Sequence, residues 1–129
     1  MPKSGIKNGQ LMPCPSSPNC VSSQAEDNAH FIEPIKASGS LAQVKKTLMN
    51  VLLHSVRATV TQTEGNYIRA EFFSLIFRFV DDVEFLIVEQ GPDEILVHVR
   101  SASRVGYSDF GVNRKRIEKI RSRFSELNE

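Results

Sequence analysis

Three histidines, two cysteines and no long apolar run are all that 129 residues offer for metal binding, disulfide scaffolding and membrane crossing. A span needs about 18 consecutive apolar residues, so no transmembrane helix is expected. The start, MPKSGIKNGQLMPCP, lacks the apolar stretch of a secretory leader, and the chain reads as cytoplasmic. No G-x-S-x-G, H-E-x-x-H, phosphate loop or G-x-G-x-x-G occurs, which removes the motif-borne hydrolase, zinc-protease and nucleotide readings. Gly106 and Gly111 bracket four residues, but Val112-Asn113 follows where a phosphate loop requires Lys-Ser. No cofactor is expected.

His30, His54 and His98 fall in different elements. Only His98, on the charged side of a strand near Arg100 and Glu84, is a candidate acid or base. Cys14 and Cys20 have only His30 nearby, too few ligands for a structural zinc site. They read as reduced thiols in a Pro-rich loop, with a Cys14–Cys20 disulfide as the alternative, one that needs an oxidising compartment. Asp81-Asp82 suggests a metal pair, yet neighbouring strand residues point to opposite faces, so no metal site is expected.

Net charge is also scarce, at +1, which argues against a general nucleic-acid or membrane-surface binder. Its distribution is uneven. Residues 100–123 carry eight basic and two acidic groups, whereas residues 1–99 carry eight basic and eleven acidic. A basic end on a mildly acidic body favours an anionic partner, although a solvated helix face explains the helical part as well.

What is present is a well-patterned α+β chain. Residues 1–29, with Pro13, Pro15 and Pro18, read as an extended arm packed on a single domain of residues 30–129. His30–Lys36 is a short edge strand, because it contains Pro34. Ser40–Ser55 is the strongest helix, capped by Ser38 or Ser40, with Leu41, Val44, Leu48, Val51 and Leu52 in one stripe that Met49 and Leu53 widen. Strands follow at Arg57–Thr63, Tyr67–Phe79 (with a bend near Ser74), Val80–Glu89 and Glu94–Arg104. Gly111–Leu127 is the last helix, capped by Ser108 or Asp109, with Ile117, Ile120, Phe124 and Leu127 buried.

The apolar sets fix a register. Phe85 faces Val99, Ile87 faces Val97 and Val83 faces Ser101, so Glu84 opposes Arg100, and Asp82 has Arg100 and Arg104 on its diagonals. The expected architecture is a two-layer domain, β-α-β-β-β-β-α. A curved antiparallel sheet of about five strands has both helices on its apolar face and solvent on its charged face.

The stretch RSASRVGYSDFGVNRKR, Arg100–Arg116, lies where strand becomes helix. Unpaired amides at a helix start attract anions, and Arg offers a planar fork for carboxylate or phosphate. The candidate ligand-binding set is Arg100, Ser101, Ser103, Arg104, Asn113 and Arg114, with Asp81 and Asp82 orienting the arginines, Asp109 capping the helix, and Tyr107 with Asn113 tying the loop.

Three segments, CPSSPNCVSS (Cys14–Ser23), FVDDVEF (Phe79–Phe85) and RSASRVGYSDFGVNRKRIE (Arg100–Glu118), resemble domain of unknown function 1499, from about Leu11 to Phe124. The resemblance implies no activity. It implies that the three motifs meet, which adds Asn19, Ser22 and Ser23 as supporting residues, and it implies a periplasmic or lumenal setting in many members. The leading expectation is a non-enzymatic module binding a small anion or an acidic partner group. The alternatives are a hydrolase- or transferase-like enzyme using Cys20 or Ser22 with Asp81 and Asp82, and an assembly module in which the motifs only lock the fold.

Overall fold

The computed structural model describes residues 4–74 and 79–128. The arm forms a small hairpin, β1 (Ile6–Lys7) with β2 (Gln10–Leu11), then β3 (Cys20–Ser22). After β4 (Ile35–Ala37) come α1 (Leu41–Leu53), β5 (Ala58–Glu64), β6 (Tyr67–Phe73), β7 (Val80–Gly91), β8 (Glu94–Ser103) and α2 (Val112–Leu127). The main sheet has six strands in the order β3-β8-β7-β6-β5, with β4 beside β3 along the same edge of β8. All its strand pairs are antiparallel.

The expected register holds. Phe85 pairs with Val99, Ile87 with Val97, Val83 with Ser101 and Glu84 with Arg100. Val83, Phe85, Ile87, Val97 and Val99 form the inner face, buried under Val44, Leu48, Val51 and Leu52 of α1 and Ile117, Ile120 and Phe124 of α2. Ser40 caps α1 in a capping box. Its hydroxyl accepts from the Gln43 amide, and the Gln43 side chain accepts from the Ser40 amide.

Several expectations change. The sixth strand comes from the arm, because β3 completes the edge of β8 that Pro34 keeps β4 from covering alone. The strand His30–Lys36 shrinks to Ile35–Ala37, leaving Phe31 a single bridge to Ser22. Tyr67–Phe79 is not one strand. Phe73 already pairs with Val80, and the Ser74 amide donates to the Phe79 carbonyl while the Ser74 hydroxyl accepts from the Phe79 amide. The bend expected near Ser74 is thus a reversal of the chain, and residues 75–78 lie outside the described residues. Leu53 and Leu127, expected in the core, are exposed because each sits at the last residue of its helix, past the surface it covers.

The largest correction concerns the charged face. Glu84 and Arg100 are fully buried, not solvated, because the arm lies over them. The Gly5 amide donates to Glu84 Oε2 at 2.7 Å, and Arg100 Nη2 donates to the Pro13 carbonyl at 3.3 Å.

Cys14 and Cys20 are joined by a disulfide, which replaces the reduced pair expected from the sequence. The bond ties the arm to β3, itself paired to β8. Closing so short a loop stabilises by about 2 kcal/mol on the chain-entropy account. The double replacement Cys14→Ser/Cys20→Ser should lower the urea-unfolding free energy by about that amount. Hydrogen exchange at the Gly5 amide should rise with it, and an unchanged exchange rate there would mean the arm is held without the bond.

Candidate functional site

Consecutive residues of a strand leave it on opposite faces, and this divides the candidate set. Arg100 lies on the outer face with Ser22 and Glu84, whereas Ser101 lies on the inner face with Val21 and Val83. Ser103 follows Ser101 inward, opposite Asp81. The six residues Arg100, Ser101, Ser103, Arg104, Asn113 and Arg114 therefore do not converge on one point.

On the outer face Arg104 grips Asp82 with two bonds, Nε to Oδ2 and Nη2 to Oδ1, both 2.9 Å, and Nη2 also reaches Glu71 at 2.8 Å. Arg69 adds a bond of 2.7 Å to Asp82. Burial pushes the Asp82 carboxyl up, but Arg104 and Arg69 outweigh it and hold the group below its ordinary range. Deeper under the arm, Glu84 accepts from Arg100 Nη1 at 3.1 Å and from the Tyr67 hydroxyl at 2.6 Å. Burial and the adjacent Glu84 carboxylate both raise the Tyr67 hydroxyl, so it stays protonated and donates.

On the inner face Asn113 is the hub. Its Nδ2 donates to Asp109 Oδ2 (2.7 Å), Ser103 Oγ (2.9 Å) and the Asn19 carbonyl (3.2 Å). Its Oδ1 accepts from Ser101 Oγ (2.6 Å) and Arg116 Nη1 (2.8 Å). Arg116 also pairs with Asp81 at 2.7 Å and lies 5.1 Å from the Phe72 ring centroid. Burial raises the Asp81 carboxyl, and the Arg116 charge only partly offsets it.

Gly111 is the residue before α2 and adopts a left-handed backbone, φ 80°, where a side chain would be strained. The cap expected from Ser108 or Asp109 comes from Asp109. Its Oδ1 accepts from the Gly111 amide and its Oδ2 from the Asn113 amide. Burial raises the Asp109 carboxyl, but the bonds from Asn113 and Gly111 overcome it and leave it lowered. The helix-start amides expected to meet an anion are thus partly taken by Asp109. Tyr107, expected to tie the loop, is instead exposed.

The arm does meet the other two motifs. Asn19 donates to the Gly106 carbonyl at 2.8 Å, and its own carbonyl accepts from the Ser103 amide. Ser22 accepts from the Gln24 amide, and Ser23 accepts from the Val99 amide. Ser23 also bonds His98 Nδ1 at 3.0 Å, while burial lowers the His98 imidazole towards neutrality. Arg114 points elsewhere again, donating to the Phe31 and Ala29 carbonyls. Cys20 is spent in the disulfide, which removes it as the nucleophile of the enzymatic alternative. Asp81 and Asp82 are both paired to arginine, and no group of three or more metal-ligating side chains occurs among the described residues.

One concave feature was missed from the sequence. A groove of about 400 Å³ runs between the end of α1, the end of β6 and α2. Phe72, Val56, Val112 and Ile120 supply its apolar wall, and Arg57, Lys115, Arg116, Lys119 and Arg123 its polar one. No described lining residue is acidic. Lys115, Lys119 and Arg123 are four apart, so they share one helix face. That spacing was legible but read equally well as a solvated face.

A two-layer α+β domain, with a disulfide-tied arm over one sheet face and an Asn-centred network under the other, is the class these features define. The family model described as protein of unknown function (DUF1499) matches residues 10–124, and the chain belongs to that family. No curated protein matches the chain. Among solved structures, that of TTHA0849 from Thermus thermophilus is similar at 12% identity, covering 74% of this chain and 97% of the other, with a TM-score of 0.34. So distant a likeness bears no argument about function. No described helix is long and apolar enough to cross a membrane.

Proposed function

We propose that this chain is a non-enzymatic binding domain for an anionic ligand, with the seat in the α2 groove beside the strand-to-helix junction. One observation carries the reading. The junction arginines are consumed within the fold, Arg100 by Glu84, Arg104 by Asp82 and Glu71, and Arg116 by Asp81. Among the described residues, Arg57, Lys115, Lys119 and Arg123 form no ion pair with a carboxylate, and all four line one groove. Arg100–Arg116 then serves as the lock that positions α2, and α2 presents the cations. The disulfide favours the periplasmic or lumenal setting over a reducing cytoplasm.

The test is a thermal-shift screen with inorganic phosphate, pyrophosphate, citrate and acetate at low and high salt. At least one polyanion should raise the melting temperature, and the shift should fade as salt screens the exposed cations. The triple replacement Lys115→Gln/Lys119→Gln/Arg123→Gln should fold normally and lose the shift. A screen with no salt-sensitive stabilisation, or a triple variant that keeps it, overturns the proposal.

A further inference from the structure

The groove has a second property that a seat for a small hydrophilic anion does not need. Its floor is apolar. Phe72 and Ile120 form the base, and Val56 and Val112 stand at the rim, 65% and 45% exposed. Exposed aliphatic side chains beside a packed aromatic offer a ligand surface that water solvates poorly. The cations stand along one side of it. Lys115, Lys119 and Arg123 line the α2 wall, and Arg57 comes from the turn after α1. Arg57 has a left-handed backbone, φ 58°, which costs a non-glycine residue about 1 kcal/mol. The turn therefore holds a long cationic side chain at a strained position on the groove, where glycine would be unstrained. The volume, about 400 Å³, falls in the range of small-ligand sites, roughly 300–1,000 Å³.

We infer that the groove takes a single-chain anionic amphiphile, a carboxylate or phosphate head on an alkyl chain, with the head against Lys115, Lys119 and Arg123 and the chain along Phe72, Ile120, Val56 and Val112. The inference rests on the anion-binding reading above and adds the apolar half of the ligand. Charge complementarity selects this occupant over a neutral lipid, because an uncharged head leaves the cations unanswered. It also selects it over inorganic phosphate, which leaves the floor wet.

The experiment is calorimetric titration of the full chain with acetate, octanoate, dodecanoate, dodecyl phosphate, inorganic phosphate and dodecanol, each kept monomeric in solution. A fully buried methylene is worth about a fourfold gain in affinity, and a half-open groove should return roughly twofold per methylene. Dodecanoate should therefore bind at least tenfold more tightly than octanoate, dodecyl phosphate more tightly still, and dodecanol at least tenfold more weakly than dodecanoate. The rim variant Val56→Gln/Val112→Gln changes only exposed positions. It should lose at least fivefold for dodecanoate while inorganic phosphate binds unchanged.

The outcomes separate the two readings. If inorganic phosphate binds as tightly as dodecyl phosphate, the amphiphile inference fails and the anion reading stands. If no anion binds, both fail. If dodecanol matches dodecanoate, the groove is merely apolar and the inference fails. A chain that sediments with phosphatidylglycerol vesicles yet binds no monomeric amphiphile would be a membrane-docking surface, and that result also overturns it.

Discussion

Replacing Arg100 by methionine should lower the unfolding free energy by roughly 3–5 kcal/mol, the cost of leaving a buried charge without its partner. Glu84 is 0% exposed and Arg100 1% exposed, so neither can recruit bulk water when the other is removed. Glu84 would keep only the Tyr67 hydroxyl and the Gly5 amide. Arg100 itself is imperfectly served, since its Nε has no hydrogen-bond partner among the described residues. The pair is therefore costly to bury and costlier to break. The double variant Arg100→Met/Glu84→Gln should recover most of the loss, because it removes both charges together. Urea unfolding followed by far-ultraviolet circular dichroism measures this directly, and the absence of tryptophan rules out the usual fluorescence probe. A single variant within about 1 kcal/mol of the parent would mean that water reaches Glu84 and that the arm does not seal it.

This pair also marks how far the sequence could be read. Its register was legible, because the alternating apolar residues Val83, Phe85, Ile87, Val97 and Val99 accept one alignment and carry Glu84–Arg100 with them. The division of the candidate set was legible too. The same two-residue period that separates Asp81 from Asp82 separates Arg100 from Ser101. The burial of the pair was not. It depends on residues 5–13 crossing the outer face, and those residues have no periodicity to announce where they lie. Asp81 and Arg116 illustrate the same limit. Their meeting depends on how α2 is rotated on the sheet, a tertiary result that neither segment encodes locally. The groove likewise needs Arg57 brought beside Lys115 and Lys119, which only the packing of α1 against α2 achieves. The disulfide lay between these cases. The short Cys14–Cys20 spacing permits it without requiring it, and the pairing of β3 with β8 is what anchors one end.

The second large effect should come from Asn113, which is 0% exposed at the start of α2. Replacing it by alanine removes five side-chain bonds at once, to Asp109, Ser103, the Asn19 carbonyl, Ser101 and Arg116. Ser101 and Asn19 are themselves buried and the other three partners half-buried, and a buried group left unpaired costs about 1–3 kcal/mol. Ser103 and Arg116 keep the bonds they already make to Asp81, which limits the damage, so a net loss of roughly 3 kcal/mol is expected. The isosteric Asn113→Asp tests whether the cost is shape or chemistry. It keeps the volume but loses the Nδ2 donor and sets a second carboxylate against Asp109, now 2.7 Å from that nitrogen. Like charges so close disfavour ionisation of the pair and raise it in the folded state. A raised carboxyl favours the folded protein only when protonated, so this variant should lose stability at neutral pH and regain part of it as pH falls through the carboxylate range. Alanine should show no such recovery. Amide exchange at Gly111 and Asn113 should quicken in both, because Asp109 caps these amides only while Asn113 holds its carboxylate in place. If Asn113→Ala costs less than about 1 kcal/mol and leaves that exchange unchanged, α2 is held by Ile117, Ile120 and Phe124 alone, and the motif does not lock it.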